Sequence, residues 1–137
     1  MDLSKKPELP IRVLSILVGI MIGCILAYAY QVNLPTLFHE IFHETYLLAN
    51  LVVFFTIPAL AGFVSGLLHP ALAMRNGLYV GFFSGLFNSI LATIKLIFTP
   101  ALIPGEEYAF SFFVIMSVFI WMILASAAAM LAQRFYD

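Results

Sequence analysis

Four long apolar runs, parted by short polar or proline-bearing stretches, dominate this chain: 11–30, 47–68, 77–98 and 109–132. A helix rises about 1.5 Å per residue, so about 20 apolar residues cross a hydrocarbon layer roughly 30 Å thick. None of the runs alternates with period two, which argues against barrel strands and predicts helices that satisfy their own backbone. The connections at 31–46, 69–76 and 99–108 hold helix-ending residues: His69-Pro70 opens the second, and Pro100 and Pro104-Gly105 lie in the third. Within the first connection, Leu34, Leu37, Phe38, Ile41 and Phe42 recur at helical spacing, opposite His39, Glu40, His43 and Glu44. That pattern predicts a short amphipathic helix lying in the interface between the first two spans. The expected fold is all-α, a four-transmembrane-helix bundle forming one domain over 1–137.

Composition rules out the competing classes. Of 137 residues, 64% are hydrophobic and 9% charged, against about a quarter charged in a soluble domain. So few charges cannot coat a water-facing surface. Disorder is excluded as well, because unfolded segments lack apolar surface and this chain has a surplus. A net charge of −1 without a basic block argues against a nucleic-acid partner. The expected partners are the lipid bilayer and other membrane helices, in a homo-oligomer or with other membrane proteins.

Charge distribution predicts orientation. Lys5, Lys6, Arg12, Arg75 and Arg134 all fall on one side of the four runs, and the opposite side has Lys95, near the end of the third run, with a stem long enough to snorkel outward. Both termini are therefore expected to be cytoplasmic, in a multi-pass protein of the cell membrane. Tyr28, Tyr30, Tyr46 and Tyr108 would lie near one interface and Tyr79 and Tyr136 near the other. The first run, preceded by Lys5-Lys6 and ending in Ala27-Tyr28-Ala29, has some features of a cleaved signal. Its length, and Asp2 and Glu8 diluting the positive end, favour a retained span. Cys24 is the single cysteine, so no intramolecular disulfide forms and a small packing role is expected.

Small residues recur every four positions in these runs. The first carries Ser15, Gly19, Gly23 and Ala27; the second Gly62 and Gly66; the third Gly77, Gly81, Gly85 and Ser89; the fourth Ala125 and Ala129. In a bilayer such ridges let backbones approach closely, so they predict a compact glycine-zipper-like packing within the chain, or a seam toward another. Leu17-Val18-Gly19 with Gly23 echoes Tyr79-Val80-Gly81 with Gly85, a hint of a duplicated hairpin. Pro58 predicts a kink in the second span, and Trp121 a packing anchor. Asn88 is the strongly polar side chain expected near mid-span, with Ser84, Ser89 and Thr93 along the same helix. An interhelical hydrogen bond is the simplest role for it; a contact to a solute is the alternative, which would make the chain a small passive channel or transporter. Coupled transport is disfavoured, because no run holds an Asp, Glu or His at mid-depth to bind the moving charge.

His39-Glu40-Ile41-Phe42-His43 is a literal HExxH. In zinc peptidases that spacing sets two imidazoles one helical turn apart on the same Zn²⁺, and the Glu activates its bound water. A zinc site here would take His39 and His43, with Glu106 or Glu107 as further ligand and Glu40 as general base. The motif resembles that of the zinc peptidase families over five residues, but those families draw a further ligand from a larger catalytic domain. No cofactor is therefore expected, with zinc as the alternative. The stretch from Pro58 to Gly66, followed by Gly77 to Gly85, resembles the Gly-rich central hairpin of small, uncharacterised prokaryotic four-helix membrane proteins. That resemblance implies a four-helix fold and no activity. The function expected from sequence is a non-enzymatic assembly, scaffold or accessory subunit that packs through its Gly/Ala-rich helix faces.

Overall fold

A computed structural model describes residues 5–32, 46–98 and 106–136. They form α1 (Lys5–Val32), α2 (Tyr46–Leu68), α3 (Ala73–Phe98), α4 (Glu106–Gln133) and a closing 3₁₀ turn, Arg134–Tyr136. The described residues are thus all-α, and all four long helices are long and apolar enough to cross a membrane. The stretch 33–45, with the expected interfacial helix, lies outside the described residues.

All four helices start earlier than the apolar runs suggest, the first and third by the most. The first has 28 residues, or about 42 Å of helix. It runs through Pro10, its sixth residue, which lies past the four unpartnered amides of the helix start and so gives up one backbone bond to the residue four earlier. The third begins at Ala73 rather than Gly77 and so takes Arg75 and Asn76 into its first turns. Hydropathy marks where side chains turn apolar, whereas a helix ends where its backbone bonds end. The second helix continues through Pro58, which is buried. Two residues earlier the Thr56 hydroxyl donates to the Val52 carbonyl at 2.6 Å.

The helices pack as a diamond. α2 and α3 touch each other, α1 lies against both on one side, and α4 lies against both on the other; among the described residues α1 and α4 do not meet. Gly19 of α1 faces Val80 and Ser65, and Gly23 faces Ser84 and Ala61. On the other side Gly62 and Gly66 abut the backbone of Ala125 and Ala129, while Gly77 and Gly81 abut that of Ser126 and Met122. Ser15, Ala27, Gly85 and Ser89 are buried as well. Every ridge is therefore taken up inside the chain.

Side-chain size divides the core along its length. In the half near the basic residues, Gly, Ala and Ser meet one another. Toward the other end, Tyr30, Phe54, Ile57 and Trp121 fill the space, with Phe87 and Ile120 packed against them. Tyr30, expected in the interfacial belt, instead turns inward, 8% exposed with its ring 6.4 Å from Phe54. Trp121 is wholly buried with its ring 5.6 Å from the same Phe54. Its indole nitrogen and the Ser65 hydroxyl have no hydrogen-bond partner among the described residues.

The connection from α2 to α3 is four residues, His69 to Leu72, and Leu72 sits at φ 58°. A Cβ in that left-handed region costs about 1–2 kcal/mol, and Asn tolerates it better because its short amide bonds locally. Leu72 is exposed, so Leu72→Asn is expected to raise unfolding free energy by about 0.5 kcal/mol. A lowered thermal midpoint would show that the Leu72 side chain is needed where it lies.

Candidate functional site

Polar side chains gather at two levels of the bundle. The first lies where α1 starts and the α2–α3 connection turns. Arg12 Nε donates to Asn76 Oδ1 at 2.9 Å. A guanidinium can only donate, which fixes the orientation of the Asn76 amide. Its nitrogen then faces the Ala71 carbonyl at 3.5 Å, and His69 Nδ1 lies 2.9 Å from that same oxygen. A carbonyl only accepts, so this contact places the proton on Nδ1; the 3.4 Å approach of the Asn76 nitrogen to His69 Nδ1 is then a close neighbour rather than a bond. Asn76 and His69 are both buried. Asn76 therefore joins three parts of the chain: α1, the connection and the start of α3. The Ser15 hydroxyl completes this end by donating to the Arg12 carbonyl at 2.7 Å.

The second level lies toward the far end of α1. Gln31 Nε2 donates to Asn88 Oδ1 at 2.9 Å, and Lys95 Nζ donates to the Gln31 backbone carbonyl. Lys95 thus turns to the C-terminus of α1, where a cation complements exposed carbonyls and the helix dipole. Asn88 and Lys95 are seven residues apart, two turns on one face of α3, so both reach the same residue of α1. At the next residue after Asn88, the Ser89 hydroxyl donates to the Val114 carbonyl across the α3–α4 contact at 3.2 Å, with the Ser117 hydroxyl 3.3 Å from it.

What these groups can do chemically is hold helices in register. Asn88 is 4% exposed and already bonded. Ser84 donates to the Val80 carbonyl of its own helix while pressed against Gly23, and Thr93 donates to Ser89. The sequence singles out Asn88, yet treats Arg12 only as an orienting charge, Asn76 as a loop residue and Gln31 not at all. The pairs Arg12–Asn76 and Gln31–Asn88 are 64 and 57 residues apart, and no local spacing links them.

The HExxH residues His39, Glu40 and His43 fall outside the described residues, and Glu106 and Glu107 are placed only as backbone at the start of α4. Among the described residues no group of three His, Cys, Asp or Glu gathers closely enough to hold a metal ion. The zinc site remains a reading of the sequence. Cys24 is a free thiol, half-buried in α1. Comparison of the chain with protein-family models, curated proteins and solved structures yields no match.

Proposed function

We infer that this chain is a multi-pass protein of the cell membrane, both termini cytoplasmic, that acts as a non-enzymatic accessory or assembly subunit by docking another membrane helix. The observation that carries this reading is the outer face of α1. Two polar ties, at Arg12 and at Gln31, fix the rotation of the helix. With that rotation, Ile11, Leu14, Met21, Ile25, Tyr28 and Val32 point outward, Ile25 being 63% exposed. Half-buried Val18 completes an unbroken alternation of three- and four-residue steps, the spacing of a coiled-coil seam. The comparable row on α4, from Met116 through Phe119 and Ile123 to Met130, is interrupted by Ser126-Ala127. Because the small-residue ridges are spent within the chain, the docking face assigned here is made of large side chains. A passive channel has less support, since buried Asn88 is bonded to Gln31, while Ser84 and exposed Thr93 bond carbonyls of their own helix.

The test is native mass measurement after extraction from native membranes in a mild detergent. A homo-oligomer or a complex with a second membrane protein is expected. Met21→Ala/Ile25→Ala should weaken that association about tenfold, about 1.4 kcal/mol, with the chain's own thermal midpoint unchanged. A wild-type chain that is strictly monomeric and free of partners would refute the reading.

A further inference from the structure

The basic end of the bundle holds two arginines of different standing. Arg12 is committed to Asn76 inside the fold. Arg75 is exposed, and among the described residues it takes no hydrogen-bond or ion-pair partner. It stands at the mouth of a groove of about 600 Å³ between α3 and α4, lined by Arg75, Leu78, Tyr79, Phe82, Phe83 and Met122. Residues 75, 79 and 82 are related by steps of four and three, so they share one face of α3. The chemistry along that face changes with depth. A guanidinium comes first, a phenol one turn further, and then two phenylalanine rings in edge-to-face contact, 5.3 Å apart. From Arg75 to Phe83 the helix advances about 12 Å.

We propose that this groove binds a glycerophospholipid whose headgroup carries a net negative charge, with its phosphate on Arg75 and an acyl chain along Tyr79, Phe82, Phe83 and Met122. The proposal rests on the membrane reading above. Its own support is the match of charge and depth. An arginine beside the hydrocarbon boundary needs a counter-charge, and its planar fork suits phosphate oxygens. The Tyr79 hydroxyl, one turn below and half exposed, supplies a second donor at the level of the glycerol. The rings beneath offer only apolar contact, which suits a hydrocarbon chain and no polar solute. A zwitterionic lipid has the same phosphate and tails, but its own cation competes with Arg75 for that phosphate. Net headgroup charge is therefore what this groove should discriminate, by about 1 kcal/mol for a single basic side chain, or about fivefold in affinity.

The experiment is a native-mass titration of the delipidated full-length chain with dioleoyl-phosphatidylglycerol and, separately, dioleoyl-phosphatidylcholine. The first bound phosphatidylglycerol is expected to bind about fivefold more tightly than the first phosphatidylcholine. Arg75→Gln should bring the two affinities together, Arg75→Lys should keep part of the preference, and Arg134→Gln, at the same end but outside the groove, should leave it intact. Phe83→Gln should weaken both lipids alike, since it alters the chain-binding wall and not the headgroup contact. Equal affinities in the wild type would overturn the proposal. So would a preference that survives Arg75→Gln, or one that Arg134→Gln abolishes, because either assigns the effect to general surface charge. A chain that fails to float with lipid vesicles would refute the membrane reading itself, a different result from floating with no lipid preference.

Discussion

Gly62→Ala is expected to destabilise the bundle by about 2 kcal/mol, whereas the same substitution at Gly85 should leave stability unchanged or slightly raise it. Both glycines lie mid-helix and face α4, so a rule based on residue type predicts equal effects. Their surroundings differ. A Cβ on Gly62 would run into the Ala125 carbonyl and lie 2.6 Å from the Ala125 Cα. These are backbone atoms, and they yield only if α4 as a whole backs away from α2. That movement would also loosen the Gly66 contact with Ala129 one turn further on. At Gly85 the nearest atoms are the Trp121 Cβ and the Val118 Cα, both at 3.2 Å, and a shift of a few tenths of an ångström relieves them. Alanine is favoured over glycine within a helix by about 1 kcal/mol. Overpacking costs about 1–3 kcal/mol and outweighs that gain at Gly62, while at Gly85 the helix preference is left to act. Equilibrium unfolding in mixed micelles measures both variants. Equal losses at the two positions would show that α2 and α4 do not approach as described.

Asn76→Leu should cost about 2 kcal/mol, more than Asn88→Leu, although each removes one amide from α3. A typical side-chain bond between membrane helices contributes roughly 0.6 kcal/mol, and the neutral Gln31–Asn88 pair belongs to that class. Arg12 carries a full charge, and hydrogen bonds to charged groups contribute about 1.5–3 kcal/mol. Without Asn76 the part-buried guanidinium loses its acceptor, and the Ala71 carbonyl loses one of its donors. A double-mutant cycle isolates the pair: Arg12→Leu and Asn76→Leu together should cost less than the two separate losses added, by about 1–2 kcal/mol. Strict additivity would mean that the two side chains do not act on each other.

The four long helices were legible because run length is a one-dimensional quantity. The four-residue ridges were legible for the same reason: a period marks a face of a helix. A period does not say which neighbour that face meets. Gly19 meets α2 and α3, while Gly62 meets α4, and nothing in their spacing distinguishes them. The polar ties were harder still. Hydropathy places Asn76 in a connection because Arg75 and Asn76 are both polar, yet the first backbone bonds of α3 include Asn76 N to Leu72 O at 3.0 Å. Tyr30 was read as a residue of the interfacial belt, whereas the Phe54 ring lies close enough to draw it inward. The HExxH motif was legible as letters, and its chemistry depends on segment 33–45, outside the described residues.

The diamond arrangement also sets an order for biogenesis. Among the described residues α1 touches two helices, α2 and α3, both made after it, and does not touch α4, made later still. Until the second hairpin loop has been threaded, α1 has no groove to settle into. Its arginine and glutamine can take up Asn76 and Asn88 only once α3 has been synthesised, so both ties that fix the rotation of α1 close after α2 has been made.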